Sequence, residues 1–225
     1  WKKNVELNPV EAGGWAKLTE LAEDPKGKLL ELLKESLETE GDKIQGKFSD
    51  KTGELNALIT LLEAQGKGFD SDLIDGEWQI VLSMNSGKSP KIQKLVGTTE
   101  KFRSSFSNFD TKSLTFHNIA QSKRKNIEAS LDYKPVAEGF SVVDGKIIVR
   151  RIACTITSTK FKVWKLPTLS SNDGRFKCGF LPSVPLPKKL QGPTGWLDFA
   201  YLDEDIRITK GNRGGVFIHV RDGVL

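Results

Sequence analysis

The run Ala200-Tyr201-Leu202-Asp203-Glu204-Asp205-Ile206-Arg207-Ile208-Thr209-Lys210-Gly211, followed by Gly214-Gly215-Val216-Phe217-Ile218-His219-Val220, decides the fold. It reads as short strands over 196–203, 205–210 and 215–221, with a polar turn at the acidic triplet. The acids Asp203, Glu204 and Asp205 have no EF-hand spacing, and one turn supplies too few oxygens for a metal. Their expected task is to accept bonds from backbone N–H groups in the turn.

Working back from that run, strand character continues to about residue 71. Trp78, Ile80, Leu82 and Met84 alternate with Glu77, Gln79 and Ser83, the period of a strand. Further strands are expected at 98–106, 113–120, 126–133, 139–143 and 146–164. Asp144-Gly145 is a hairpin turn signal. The run 146–164 is long for one strand, so a bulge is expected near Thr157–Thr159. Successive strands at this spacing favour an antiparallel sheet closing on itself. Residues 165–195 interrupt the pattern with five of the nine prolines. Proline cannot donate to a ladder, so this insert is no central strand. Its Phe180, Leu181, Val184 and Leu186 are apolar enough for a lid over a barrel mouth or a membrane-touching flap; a loop lying flat on the outer wall is the alternative.

Before residue 71 the period is helical. Trp15, Leu18 and Leu21 recur at helical spacing, and Asp24-Pro25 is a helix start. Leu29, Leu30, Leu32, Leu33 and Leu37 form one apolar stripe, and Leu55, Leu58, Ile59, Leu61 and Leu62 form a second. The reading is therefore mainly β (α+β): helices over 1–70, packing on an antiparallel barrel over 71–225.

A formal charge of +5 is spread along the chain, not gathered on one face. That argues against nucleic acid as a partner and allows mild attraction to anionic membranes. No run of eighteen apolar residues exists, so no spanning helix is expected. The chain begins at Trp1, so a removed leader is expected. Cys154 and Cys178 are either one disulfide or two small buried thiols, with the second favoured. His117 and His219 are the only histidines, and no nucleophile elbow, HExxH or phosphate loop accompanies them. No catalytic residue and no metal ligand is assigned.

Gly76-Glu77-Trp78 opens the β region, and Arg207 lies in an otherwise apolar strand near the end. A Gly-x-Trp at the first strand with a late arginine over its indole is how lipocalins plug the closed end of their cup. The C-terminal run resembles that of the plastid lipid-associated proteins, the fibrillins. There a near-identical Tyr-Leu-Asp-Glu-Asp-Leu-Arg-Ile-Ser-Arg-Gly closes a lipocalin-like barrel. Tyr201 to Asp205, Arg207, Ile208 and Gly211 match it. The leucine-rich helices leading into Leu73-Ile74-Asp75-Gly76-Glu77-Trp78 add to the resemblance. Asn212 and Arg213 depart from it, standing where the family has an acidic turn, and so does Leu82-Ser83-Met84 in place of a Tyr-Thr-Ser run.

The resemblance implies a lipocalin-like barrel closed by Trp78 and Arg207. It implies a non-enzymatic protein of the chloroplast, on the thylakoid, in the stroma or at plastoglobules. It would bind an isoprenoid, carotenoid, quinone or fatty acid, with no cofactor required beyond such a bound lipid. Ile80, Leu82, Met84, Phe116, Leu131, Tyr133, Phe161, Phe199, Tyr201 and Phe217 are the expected interior lining. Two other functions stay open: a scaffold subunit on a photosynthetic membrane complex, and a lipid-modifying enzyme using the same cup.

Overall fold

The computed structural model describes residues 13–40, 51–65, 68–84, 104–121, 125–143, 145–163, 169–172, 175–178, 184–185, 194–212 and 214–225, with Pro9. Three helices come first: α1 (Trp15–Glu23), α2 (Pro25–Glu40) and α3 (Thr52–Ala64). Each begins or faces inward as its sequence dictates. Asp24 Oδ1 accepts from the N–H of Gly27 at 2.9 Å, which caps α2. Leu21, Leu29, Leu55, Leu58 and Leu62 are fully buried.

A single-turn helix, α4 (Ser71–Ile74), leads into the sheet. Its strands are β1 (Gly76–Met84), β2 (Ser104–Asp110), β3 (Thr115–Gln121), β4 (Lys125–Val143), β5 (Lys146–Val163), β6 (Leu169–Asn172), β7 (Arg175–Cys178), β8 (Val184–Pro185), β9 (Thr194–Leu202), β10 (Ile206–Gly211) and β11 (Val216–Val220). The order β4-β3-β2-β1-β11-β10-β9-β5 is antiparallel throughout, and β4 pairs with β5. Eight strands therefore close on themselves as a barrel, the lipocalin-like architecture that the sequence led us to expect.

Four details differ from the sequence reading. The second strand is Ser104–Asp110 rather than 98–106, and residues 98–103 lie outside the described residues. The segments 126–133 and 139–143 are one strand, β4, with an irregularity between Val136 and Phe140. Pro135 is tolerated within it because the last pair with β3 is Thr115–Asp132, so β4 is an edge on that side at Pro135 and no ladder bond is lost. Part of the 165–195 insert is also strand. β5 is long enough to pair with β9 through Arg151–Thr155 and with β6 through Ser158–Phe161, and β7 and β8 extend that edge. The fourth difference, a pair of bulges, bears on the interior and is described with it below.

The bulge expected near Thr157–Thr159 sits at Thr157. Ser130 faces Ser158 and Leu131 faces Ile156, so Thr157 is the extra residue, and its hydroxyl donates to the Ser130 carbonyl at 3.2 Å. Among the described residues, the β4–β5 hairpin beyond Arg151 pairs only strand to strand with itself. Gly145, with φ 75°, makes its turn. The base of the hairpin is held by Gly68-Phe69. Phe69 N–H donates to the Val149 carbonyl at 2.8 Å. Gly68 is required for that approach, since a Cβ would stand 2.6 Å from the same carbonyl oxygen.

Two apolar cores result. One lies between the helices and the outer wall of the barrel, where Leu21, Leu29, Leu55, Leu58 and Leu62 meet Val81, Leu82, Tyr201, Ile206, Ile208 and Ile218. The other fills the lower interior with Trp78, Phe109, Phe116, Leu131, Tyr133, Ile152, Cys154, Phe199 and Leu202.

Candidate functional site

The floor of the barrel is aromatic. Phe109 and Phe116 stack at 4.5 Å between centroids, and Tyr133 meets Phe109 edge-on at 5.5 Å. Phe69 closes against Phe199 at 5.2 Å and Tyr133 at 6.1 Å. Such offset and edge geometries suit the ring quadrupoles. Trp78 is completely buried, and its indole N–H donates to the Ile74 carbonyl at 2.8 Å. Gly76 makes the entry possible. Its φ of 90° is left-handed, and a side chain there would meet the Arg221 guanidinium at 3.0 Å.

Arg221 is the cation that seals the floor. Its guanidinium lies 4.0 Å over the Trp78 ring. It donates to the carbonyls of Glu77, Leu73 and Asp75 at 3.1, 2.7 and 2.6 Å. The sequence reading gave this place to Arg207, whose guanidinium is farther, 5.5 Å from Trp78 and 5.0 Å from Phe109. Arg207 is instead an interior side chain, 2% exposed. Burial, and then repulsion from Arg221, pull its guanidinium down to about 9, so it remains a cation at neutral pH.

Two bulges sort the expected lining residues. In β1, Ile80 pairs with His219 but Leu82 pairs with Ile218, so Val81 is an extra residue. In β9, Phe199 pairs with Thr209 but Tyr201 pairs with Ile208, so Ala200 is an extra residue. A one-residue insertion reverses every later side chain. Leu82, Met84 and Tyr201 therefore pack in the helix-facing core, not in the interior. Phe116, Leu131, Tyr133 and Phe199 lie together in the interior. Ile80 and Phe217 are half-buried on the same face as His219. Phe217 rests on Gly215, where a Cβ would come 2.9 Å from its ring. The backbone of Phe161 pairs with Ile127, and its side chain lies outside the described residues. So do Phe180, Leu181 and Leu186 and the side chain of Val184.

Above the floor the inner wall becomes polar. His219 is buried and its Nε2 lies 3.4 Å from Ser107 Oγ, which donates to Asn118 Oδ1 at 2.6 Å. Burial, with Arg207 second, drives the His219 pKa well below 6.5, so the ring is neutral. Asn118 shares the inward face of Phe116 yet is exposed, so the cup is open to solvent at that level. Phe109, Ser107, Asn118 and Arg221 were not singled out in the sequence. An arginine directly after a terminal strand was the available signal for Arg221.

The remaining candidates have structural partners. Asp203 Oδ1 accepts from the N–H groups of Asp205 and Ile206 at 2.9 Å each, and Tyr201 donates to its Oδ2 at 2.8 Å. Lys26 of α2 reaches Asp203 at 2.8 Å and Asp205 at 2.6 Å. Burial alone would raise the Asp203 pKa, but Lys26 and these donors outweigh it and hold the carboxyl below 3.8. His117 lies outside the barrel, 3.0 Å from Ser130 Oγ. Cys154 and Cys178 are both free, and burial pushes the Cys154 thiol up to about 12. Among the described residues no cluster of metal-ligating side chains occurs, and no helix is long and apolar enough to cross a membrane.

Eight antiparallel strands closed over an aromatic floor define a lipocalin-like barrel. The PAP_fibrillin family model matches residues 25–220, and the chain belongs to that family. It is similar to the probable plastid-lipid-associated protein 12, chloroplastic, of Arabidopsis thaliana, with 27% identity over 69% of this chain and 34% of that protein. It is also similar to the plastid lipid-associated protein 1, chloroplastic, of Brassica campestris, with 24% identity over 78% of this chain and 61% of that protein. The chain thus spans one third to three fifths of the length of these relatives. No solved structure gives a significant match.

Proposed function

We propose that this chain binds a hydrophobic small molecule, an isoprenoid, carotenoid, quinone or fatty acid, inside its barrel and works at lipid surfaces of the chloroplast. One observation carries the binding half: the inward face continues past the packed aromatic floor to Ile80, Ala129, Ile156 and Leu197, which remain half-buried, and to the exposed Asn118 that pairs with Ala129. The energetics suffice. Covering ~500 Å² of prenyl or acyl chain is worth roughly 12 kcal/mol gross at ~25 cal/mol per Å². Ordering and immobilisation offset much of that, which leaves micromolar affinity without specific polar contacts.

The lipid-surface half draws on the β4–β5 hairpin and on the names of the relatives. Phe140, Val142 and Ile147 are 55%, 63% and 71% exposed at the tip, and Val142 pairs with Ile147. Three large apolar side chains on one face of a projecting hairpin suit insertion at a lipid interface. The formal charge of +5 favours an anionic leaflet.

Extraction and mass spectrometry of the protein taken from its native source tests the binding half. One equivalent of a lipid or isoprenoid is expected. Recovery of none, with no micromolar binding of any lipid in vitro, refutes it.

A further inference from the structure

The lower barrel holds two guanidinium groups, and among the described residues only one has hydrogen-bond acceptors. Arg221 stacks on Trp78 and ties three carbonyls together. Arg207 lies over the Trp78 ring at the longer distance of 5.5 Å and ties no carbonyl. Its Nε and Nη1 are buried and have no hydrogen-bond partner. Among the described residues no carboxylate forms an ion pair with it, and the charge that acts on it, Arg221, repels it. The ring faces of Phe109 and Trp78, at 5.0 and 5.5 Å, offset part of the lost hydration but offer no acceptor. A buried cation in this state is costly to the fold unless something completes it.

Two neighbours in the interior share that condition. Tyr133 Oη and His219 Nδ1 are buried and without hydrogen-bond partners. The other side of the His219 ring leads through Ser107 to Asn118, the solvent-open residue. A polar track thus crosses an apolar wall and ends on a cation with free donors. Forked N–H donors match the two oxygens of a carboxylate or phosphate. A neutral polar group leaves the charge uncompensated.

We propose that Arg207 anchors the anionic head of an amphiphile whose acyl or isoprenoid chain lies in the barrel, so that the site selects single-headed carboxylates or phosphate monoesters over neutral lipids. This rests on the barrel-binding reading above and narrows its ligand class. Uncharged carotenoids and quinones fill the same apolar volume but leave Arg207 unpaired, and the site discriminates against them for that reason.

Displacement of cis-parinarate from the intact chain tests it, with palmitate against palmityl alcohol and farnesyl monophosphate against farnesol as competitors. The charged member of at least one pair is expected to bind on the order of 10-fold tighter or more. Which pair shows the preference tells a carboxylate source from a phosphate source. Arg207→Met is expected to bring each pair within about 2-fold and to raise Tm, because an orphan buried charge is replaced by an apolar chain of similar length. Arg207→Lys is expected to keep part of the preference. If Arg207→Met fails to fold, the wild-type pairs and Arg207→Lys still decide. Equal binding within both pairs overturns the anionic-head inference alone. Retained preference in a folded Arg207→Met protein also overturns it. Binding of neither the charged nor the neutral members overturns the barrel-binding reading and this inference with it.

Discussion

The two cores of this protein share a wall and differ in kind. The outer core, between the helices and the strands β1, β11, β10 and β9, is mostly buried leucine, isoleucine and valine. Its rim carries paired charges: Lys26 holds Asp203, Lys210 holds Glu63 at 2.5 Å, and Arg150 reaches the carbonyls of Glu63 and Ala200, while Ser36 Oγ on α2 is buried without a partner. The inner core is aromatic at its base and carries buried polar atoms without hydrogen-bond partners at Arg207, His219 and Tyr133. A region that only has to be stable buries few such groups. Their persistence in a neighbouring core built from the same strands is what the proposed ligand site rests on.

That contrast is breakable by substitution, and the largest effect is expected in the outer core. Leu58 is completely buried between helices and barrel. Leu58→Ala should cost about 3 kcal/mol in urea unfolding, from lost transfer energy and a residual cavity. A loss below about 1 kcal/mol would mean that the helices are not fastened to the wall.

Arg221→Ala comes next. It removes the stack on Trp78 and three carbonyl contacts in a part-buried place, and a loss of roughly 2 kcal/mol is expected by the same measurement. The opposite sign anticipated for Arg207→Met makes the pair of arginines the sharpest form of the comparison.

Asp203 tests the seam between helix α2 and the barrel. Its folded pKa is depressed, so the unfolded chain takes up the proton first as pH falls. Its contribution is complete above the ordinary value of 3.8 and is lost as pH drops below it towards the folded pKa. Asp203→Asn should cost roughly 1–2 kcal/mol at pH 7 and flatten the acid limb of the stability curve. An unchanged acid limb in the variant would refute the assignment.

The smallest effect on stability is expected at the hairpin tip. Phe140→Ser, Val142→Ser and Ile147→Ser together should change stability by less than about 0.5 kcal/mol, since all three are exposed. Flotation with vesicles containing anionic lipid should nevertheless fall severalfold. Flotation equal to that of the parent chain would show that the tip is not the lipid contact.

Much of this was readable in the residues. Leu29, Leu33, Leu55, Leu58 and Leu62 announced buried helix faces by spacing alone. Gly76-Glu77-Trp78 announced the floor through its likeness to the Gly-x-Trp that opens the first strand of lipocalins. The acidic turn at Asp203 was legible as a set of backbone acceptors, although the lysine that reaches it comes from 177 residues away and no local pattern points to it. The interior was harder to read. Alternation places Leu82, Met84 and Tyr201 inside only if each strand runs without an inserted residue, and the bulges at Val81 and Ala200 have no compositional mark.

The identity of the sealing arginine was decided in three dimensions as well. Both Arg207 and Arg221 follow the indole in the right order, and chain order does not measure distance to a ring. The sequence by itself determined that helices would lead into an antiparallel sheet closing on itself, since period and turn chemistry act over neighbouring residues, and the resemblance placed Trp78 at its closed end. Only the tertiary structure decided which side chains face the cup and which arginine is left over, because one extra residue in a strand inverts everything after it and a guanidinium finds its partners across the barrel.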